Sequence, residues 1–106
     1  MDLSAIDPVA VPEATGGYVN ALQVEGASRL LFISGQIPQT REGHVPDRIE
    51  DQCRLVWANL TAALAAAAMD VTNLVKVTTI LSDREYAAAN TDISNEVLGD
   101  HRPASR

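Results

Sequence analysis

Apolar residues recur at three- and four-residue spacing through the middle of the chain, and this pattern predicts a long amphipathic helix. Asp47 and Glu50 resemble a capping box and place the start of the helix. The expected buried stripe comprises Ile49, Cys53, Val56, Trp57, Leu60, Leu64 and Ala67. The alanine-rich end of the segment favours a helix that lies close against a sheet.

The residues after this helix predict a strand and a second helix. Residues 75–81 (VKVTTIL) are rich in β-branched side chains and indicate a central strand. Residues 82–85 have the pattern of another capping box, and Gly99 marks the end of the helix after Leu98.

The N-terminal third predicts a hairpin of two strands. Residues 18–24 and 30–33 are expected to pair, and residues 1–17 are expected to form an extended lead-in. The order strand, strand, helix, strand, helix predicts one domain over residues 1–106, of the α/β or α+β class, with a sheet covered by helices.

The apolar run at residues 30–33 bears on assembly. A strand that is apolar on both sides is typical of burial on both faces, whereas two helices joined by short loops most easily cover only one. Self-association would supply the second cover. The alternative, a short apolar strand inside a single core, also fits the sequence.

Composition narrows the function classes. Eight basic residues against fourteen acidic residues give a net charge of −6, which argues against a sequence-independent nucleic-acid binder. The single Cys53 cannot form an intramolecular disulfide, and no Cys/His spacing indicates a metal site. The N-terminal residues resemble neither a signal peptide nor a membrane span, so a cytoplasmic protein is expected.

Three polar features interrupt the apolar pattern. Asn90 falls on the apolar side of the second helix, where it either binds in a pocket or anchors a loop. Ser34 and Gly35 follow directly on an apolar run. They form either one wall of a cleft or an ordinary transition from strand to loop. Tyr18, which follows two glycines, fits a site residue and a packing aromatic with its hydroxyl in water equally well.

Several motifs, taken in order, resemble the Rid family of RidA/YjgF-type enamine/imine deaminases from residue 16 onward. The main ones are Gly-Gly-Tyr-Val at 16–19, ISGQIP at 33–38, Asn90 and Arg-Pro-Ala at 102–104, supported by Gln52, VWANL at 56–60 and LVKVT at 74–78.

The resemblance implies a fold, an assembly and an activity. The fold would be a chorismate-mutase-like domain with a mixed sheet and two helices on one face, assembled as a homotrimer with clefts between subunits. The activity would be hydrolysis of 2-aminoacrylate-like enamines and imines to 2-keto acids and ammonia, with no metal or organic cofactor. Tyr18, Ser34, Gly35 and Asn90 would line the cleft.

The C-terminus departs from the family pattern. Active members carry a carboxylate-binding arginine directly after Arg-Pro-Ala, where this chain has Ser105 and places Arg106 one residue later. In an extended segment that shift sends Arg106 to the opposite face unless a bulge restores it. Further family strands are absent after Arg106, so we interpret the chain as truncated and name no catalytic acid.

Three hypotheses follow from these observations. The first is a deaminase with Tyr18, Ser34, Gly35, Asn90, Ser105 and Arg106 as substrate-binding residues. The second is a Rid-like trimer that binds a metabolite, or acts on another substrate class, without this deamination. The third is a partner-binding trimer in which Tyr18, Ser34 and Asn90 need not converge.

Overall fold

The computed structural model describes residues 1–14 and 17–105 of the chain. Two helices, α1 (Ile49–Ala66) and α2 (Ala87–Leu98), pack against each other. The strands are β1 (Asp2–Ile6), β2 (Ala21–Glu25), β3 (Lys76–Val77) and β4 (Ala104–Ser105), and short 3-10 turns cover Val71–Asn73 and Arg84–Tyr86. The predicted α+β class with two helices is confirmed.

The strands form two pairs, one antiparallel and one parallel. β1 and β2 are antiparallel, in a register that runs from Asp2 opposite Glu25 to Ile6 opposite Ala21. β3 and β4 are parallel, and α2 lies in the connection between them, because parallel strands need a long crossover.

The predicted hairpin is wrong. β2 pairs with β1, a segment expected only as an extended lead-in, and residues 30–33 are not paired as a strand. Leu30 is 75% exposed and Phe32 is 89% exposed, so the alternative of a short apolar strand inside a single core is wrong. An extended segment becomes part of a sheet only where another backbone pairs with it, and the described residues supply none here.

Helix boundaries follow the apolar pattern, although one predicted cap is absent. α1 begins after Arg48 with no side-chain cap, so the capping box expected at Asp47 and Glu50 is not formed. Asp47 precedes the N-cap by one residue, and Glu50 instead forms an ion pair with Arg48 at 3.5 Å. Acidic residues in the first turn still suit the helix dipole.

The second helix begins and ends nearly as predicted. The carboxylate of Asp83, rather than the Ser82 hydroxyl, accepts from the backbone N–H of Glu85 at 3.0 Å and caps the turn that leads into α2. Gly99 follows the helix with φ +59°, a backbone conformation that glycine adopts without a Cβ clash.

The core lies between the two helices. Its buried members are Cys53, Trp57, Ile93 and Leu98, and Leu74 and Val77 pack against them. Trp57 is 5% exposed, and its Nε1 donates a hydrogen bond to Ser94 Oγ at 3.2 Å. A buried indole needs such a partner, and this bond fixes the register between α1 and α2.

The C-terminal segment is tied to both ends of the fold. Pro103 is fully buried, and its carbonyl accepts from the backbone N–H of Val19 at 3.3 Å. The N–H of Ala104 donates to the Val75 carbonyl at 3.1 Å, and His101 Nε2 lies 2.7 Å from the Leu74 carbonyl oxygen. β4 therefore lies between β3 and the residues that precede β2.

Candidate functional site: a cleft beside the first helix

A cleft of about 680 Å³ lies between residues 33–38, one face of α1 and residues 76–82. Its size is within the range of small-molecule sites. The α1 wall is mainly apolar and is formed by Ile49, Gln52, Cys53, Val56, Trp57 and Leu60.

Ser34 and Gly35 line the opposite wall, as the sequence predicted for a cleft. Both residues are exposed, and Gln36 Nε2 donates back to the Ser34 carbonyl at 3.1 Å. A Cβ added to Gly35 would meet no atom within 4 Å. The glycine is therefore not required by packing in this chain; it leaves open space at the wall.

Asn90 reaches the same cleft from α2. Its Oδ1 lies 3.9 Å from Cys53 Sγ, which donates to it across the helix interface. This bond does not use the Nδ2 donors of the amide. Asn90 is half-buried, so the amide serves both the helix interface and the cleft.

Cys53 is a cleft residue that the sequence placed only in the core stripe. Burial raises the pKa of its thiol, the negative charge of Glu50 adds to that rise, and Arg54 opposes it. A thiol with a raised pKa stays protonated near neutral pH and is a poor nucleophile. Its chemical role in the cleft is that of a weak hydrogen-bond donor.

Tyr18 lies elsewhere in the single chain. It lines a separate groove of about 490 Å³ with Asp7, Glu13 and Asn20, beside the loop that follows β1. The adjoining Val19 forms a parallel bridge with Ala104, which places this stretch beside β4. The structure thus brings Ser34, Gly35 and Asn90 together and leaves Tyr18 in another groove.

The structure describes one of the two C-terminal candidates for substrate binding. Ser105 lies in β4 opposite Val77 in the parallel register. Arg106 lies outside the described residues.

The comparison with protein families decides the classification. The family described as endoribonuclease L-PSP matches residues 9–106. The chain belongs to this family.

Relatives within the L-PSP family extend the match to named proteins. A RutC family protein of Pyrococcus horikoshii is 36% identical over 95 residues, which are 88% of this chain and 73% of the relative. TdcF of Escherichia coli K12, whose name assigns it provisionally to the reactive intermediate deaminases, is 29% identical over 98 residues, covering 92% of this chain and 74% of TdcF.

Solved structures support the same fold. E. coli TdcF with bound serine superposes with a TM-score of 0.69 at 27% identity and covers 96% of this chain and 81% of that one. A Rid family protein of Yersinia pestis, YyfB, has a TM-score of 0.81 at 22% identity, with 99% and 83% coverage, and shows the shared fold. The resemblance to the Rid family is confirmed.

Lys76 is a further cleft residue of this L-PSP family chain, and its motif (LVKVT) was assigned no site role from the sequence. It begins β3 and has an exposed side chain. The signal was present in the sequence, as one charged residue inside an otherwise apolar and β-branched run (VKVTTIL). Such a pattern fits an ordinary half-exposed strand equally well, because strand side chains alternate between faces.

No helix among residues 1–14 and 17–105 is long and apolar enough to cross a membrane. Within the same residues, no group of three or more His, Cys, Asp or Glu side chains is arranged to hold a metal ion.

Proposed function

We propose that this L-PSP family chain hydrolyses reactive enamines and imines of the 2-aminoacrylate type. A proton added at C3 converts the enamine to the 2-imino acid. Water then adds to the imine carbon, and the C–N bond of the resulting carbinolamine breaks. The products are a 2-keto acid and ammonia, with one water consumed.

The observation that carries the proposal is the meeting of Ser34, Gly35 and Asn90 at one cleft. A hydroxyl and an amide supply donors and acceptors for an imine nitrogen and an attacking water. The space beside Gly35 admits a small substrate close to the backbone. Family membership and the deaminase name of a relative support the same reaction class.

Hydrolysis of an imine makes modest demands on the protein. The substrate must be held by its carboxylate, its C2 must face an ordered water, and protons must be exchanged. We assign substrate binding to Ser34, Gly35 and Asn90 in the cleft, and we retain Tyr18, Ser105 and Arg106 as substrate-binding candidates. No residue is assigned as the catalytic acid.

Assembly is part of the proposal. A homotrimer with clefts between subunits would give Tyr18 and the C-terminal candidates a route to a site that also contains residues of a second copy. The exposed apolar side chains of Leu30, Phe32 and Ile80 support association, because a monomer seldom leaves so much apolar surface in water. We place the assembled protein in the cytoplasm and assign it no cofactor.

A second candidate is metabolite binding without deamination. It is supported by Ser105, which stands where active members carry the carboxylate-binding arginine and which supplies no charge. The E. coli TdcF structure contains bound serine, so a protein of similar fold binds a free amino acid.

RNA cleavage, which the family description suggests, has less support. A net charge of −6 and a cleft with little positive charge are unfavourable for a polyanion. We expect no nucleic-acid partner.

The deciding experiment measures ammonia and keto-acid release when 2-aminoacrylate is generated in situ from serine by a dehydratase. We expect the whole chain to accelerate release above the spontaneous rate, and Ser34→Ala to lose most of the acceleration. Arg106→Ala tests whether that residue contributes the carboxylate contact. No acceleration by the unmodified protein, with 2-keto acids still bound, would favour the binding function.

A further inference from the structure

Lys76 is the single lysine of the chain. The residue is exposed at the start of β3 and is one of those that line the same cleft as Ser34 and Asn90. The ion pairs formed among the described residues join Arg48 or Arg54 to acidic residues and do not include Lys76. Among the described residues, no ion pair occupies the ammonium group, which leaves it available to a ligand.

The charge around Lys76 is locally favourable to an anion. Of the described residues that line the cleft, Lys76 alone is charged, and none carries a carboxylate. Glu50 is close enough to raise the pKa of Cys53, but it also pairs with Arg48 at 3.5 Å. In a chain of net charge −6, this cleft is thus a place where a carboxylate gains an attractive partner.

The rest of the cleft is larger and more apolar than a three-carbon ligand requires. Ile49, Val56, Trp57 and Leu60 form the α1 wall of a space of about 680 Å³. Each methylene group that a ligand buries there strengthens binding by about fourfold. The shape therefore favours ligands with a substantial hydrocarbon side chain.

Lys76 also lies next to the C-terminal candidate segment. In the β3–β4 register it is opposite Ala104, one residue before Ser105. The chain thus has a cation close to the place where Ser105 cannot supply one.

We propose that Lys76 binds the carboxylate of the ligand and that the cleft takes 2-keto and 2-imino acids with large apolar side chains. A four-carbon branched or an aromatic side chain would lie along the α1 wall, with the carboxylate at the mouth. This inference rests on the proposed deaminase function for the imino acids, whereas binding of the keto acids is independent of any catalysis.

Calorimetric titration of the whole chain with keto acids tests the proposal. We expect 4-methyl-2-oxopentanoate to bind at least about tenfold more tightly than pyruvate, because it adds three buried carbons. The ketone 4-methyl-2-pentanone has the same hydrocarbon chain without the carboxylate and should bind at least about tenfold more weakly than the keto acid. Equal affinities across the three compounds would overturn the assignment.

Variants of Lys76 separate its charge from its length. Lys76→Met should weaken the binding of 4-methyl-2-oxopentanoate by about tenfold or more. Lys76→Arg should keep the affinity within about threefold of that of the parent chain. Arg41→Met removes a positive charge from the loop outside the cleft and should leave binding unchanged. Unchanged binding in Lys76→Met, or an equal loss in Arg41→Met, would contradict a direct contact.

The single lysine also allows a direct spectroscopic test. Reductive methylation with ¹³C-formaldehyde keeps the charge and gives one lysine resonance beside that of the N-terminus. We expect 4-methyl-2-oxopentanoate to shift the lysine resonance and 4-methyl-2-pentanone to leave it in place. Two outcomes separate this inference from the proposed deaminase. If keto acids bind in a way that depends on Lys76 but no ammonia is released, only the deaminase function is refuted. If ammonia release and keto-acid binding are both unchanged in Lys76→Met, only the role of Lys76 is refuted.

Discussion

Cys53 Sγ on α1 and Asn90 Oδ1 on α2 lie 3.9 Å apart at the edge of the cleft. The bond links the helix interface, which holds the fold together, to a residue that we assign to substrate binding. A comparison of substitutions at Cys53 and at Asn90 therefore separates the effect on stability from the effect on activity.

Replacement of Asn90 should affect both stability and activity. Asn90→Ala removes the acceptor of the Cys53 thiol and the cleft amide, and we expect a loss of about 1 kcal/mol in unfolding free energy together with loss of imine hydrolysis. Urea denaturation and ammonia release measure the two effects.

Cys53→Ala is the matched control for that variant. It removes the other end of the same hydrogen bond and should retain most of the activity. If Cys53→Ala lost as much activity as Asn90→Ala, the amide would have no role beyond helix packing.

The Cys53 thiol should react slowly with iodoacetamide. Its raised pKa keeps the thiolate fraction low, so the alkylation rate should continue to rise at pH values where a free cysteine peptide has reached its plateau. Since the folded state holds this proton more tightly, the thiol's contribution to stability is complete below the ordinary cysteine pKa and falls as the pH rises through the folded pKa. Cys53→Ala should lack that alkaline dependence.

Glycine substitutions should distinguish packing from cleft space. Gly17 has φ +91°, and an added Cβ would collide with the Asn95 side chain, so Gly17→Ala should cost about 1–2 kcal/mol of unfolding free energy. Gly35→Ala meets no neighbour within 4 Å and should leave stability unchanged while lowering activity. Thermal unfolding and the ammonia assay measure the pair.

Asn95→Ala supplies the check on the Gly17 prediction. Combined with Gly17→Ala, it removes the collision but not the cost of the positive φ, so only part of the stability should return. Full recovery would show that the backbone conformation contributes nothing.

Asp70 should stabilise the turn before β3 in a pH-dependent way. Its carboxylate accepts from Thr72 N at 2.9 Å and from the Thr72 hydroxyl, and these hydrogen bonds lower the pKa of Asp70. A lowered pKa gives a contribution that is present above the ordinary aspartate pKa and is lost as the pH falls through the folded pKa. The melting temperature of Asp70→Ala should therefore lie below that of the parent at pH 7 and approach it at pH 3.

The exposed apolar surface should drive association. Phe32 is 89% exposed, and Phe32→Glu places a charge on this surface. We expect sedimentation velocity to show an oligomer for the parent chain and a smaller species for the variant. Arg41→Met, which changes a charge outside the apolar run at residues 30–33, should sediment as the parent does. A parent chain that sediments as a monomer would contradict the assembly.

The helices were predictable from the sequence because their main determinants are local. The three- and four-residue spacing predicted that Cys53, Trp57 and Leu64 are buried, as they are, and Gly99 marked the end of α2. The cap of α1 was not predictable to the residue, since one position separates Asp47 from the N-cap that Arg48 occupies.

Tertiary structure decided the pairing of strands and the membership of the cleft. Residues 30–33 have the composition of a strand, but pairing depends on which backbone is near, and β2 pairs with β1 instead. Ser34 and Asn90 meet at one cleft while Tyr18 lies in another groove, although all three interrupt the apolar pattern. Sequence alone determined the family, the helices and most of the core, because periodicity and motifs are local; contacts between distant segments depend on the packing of the whole chain.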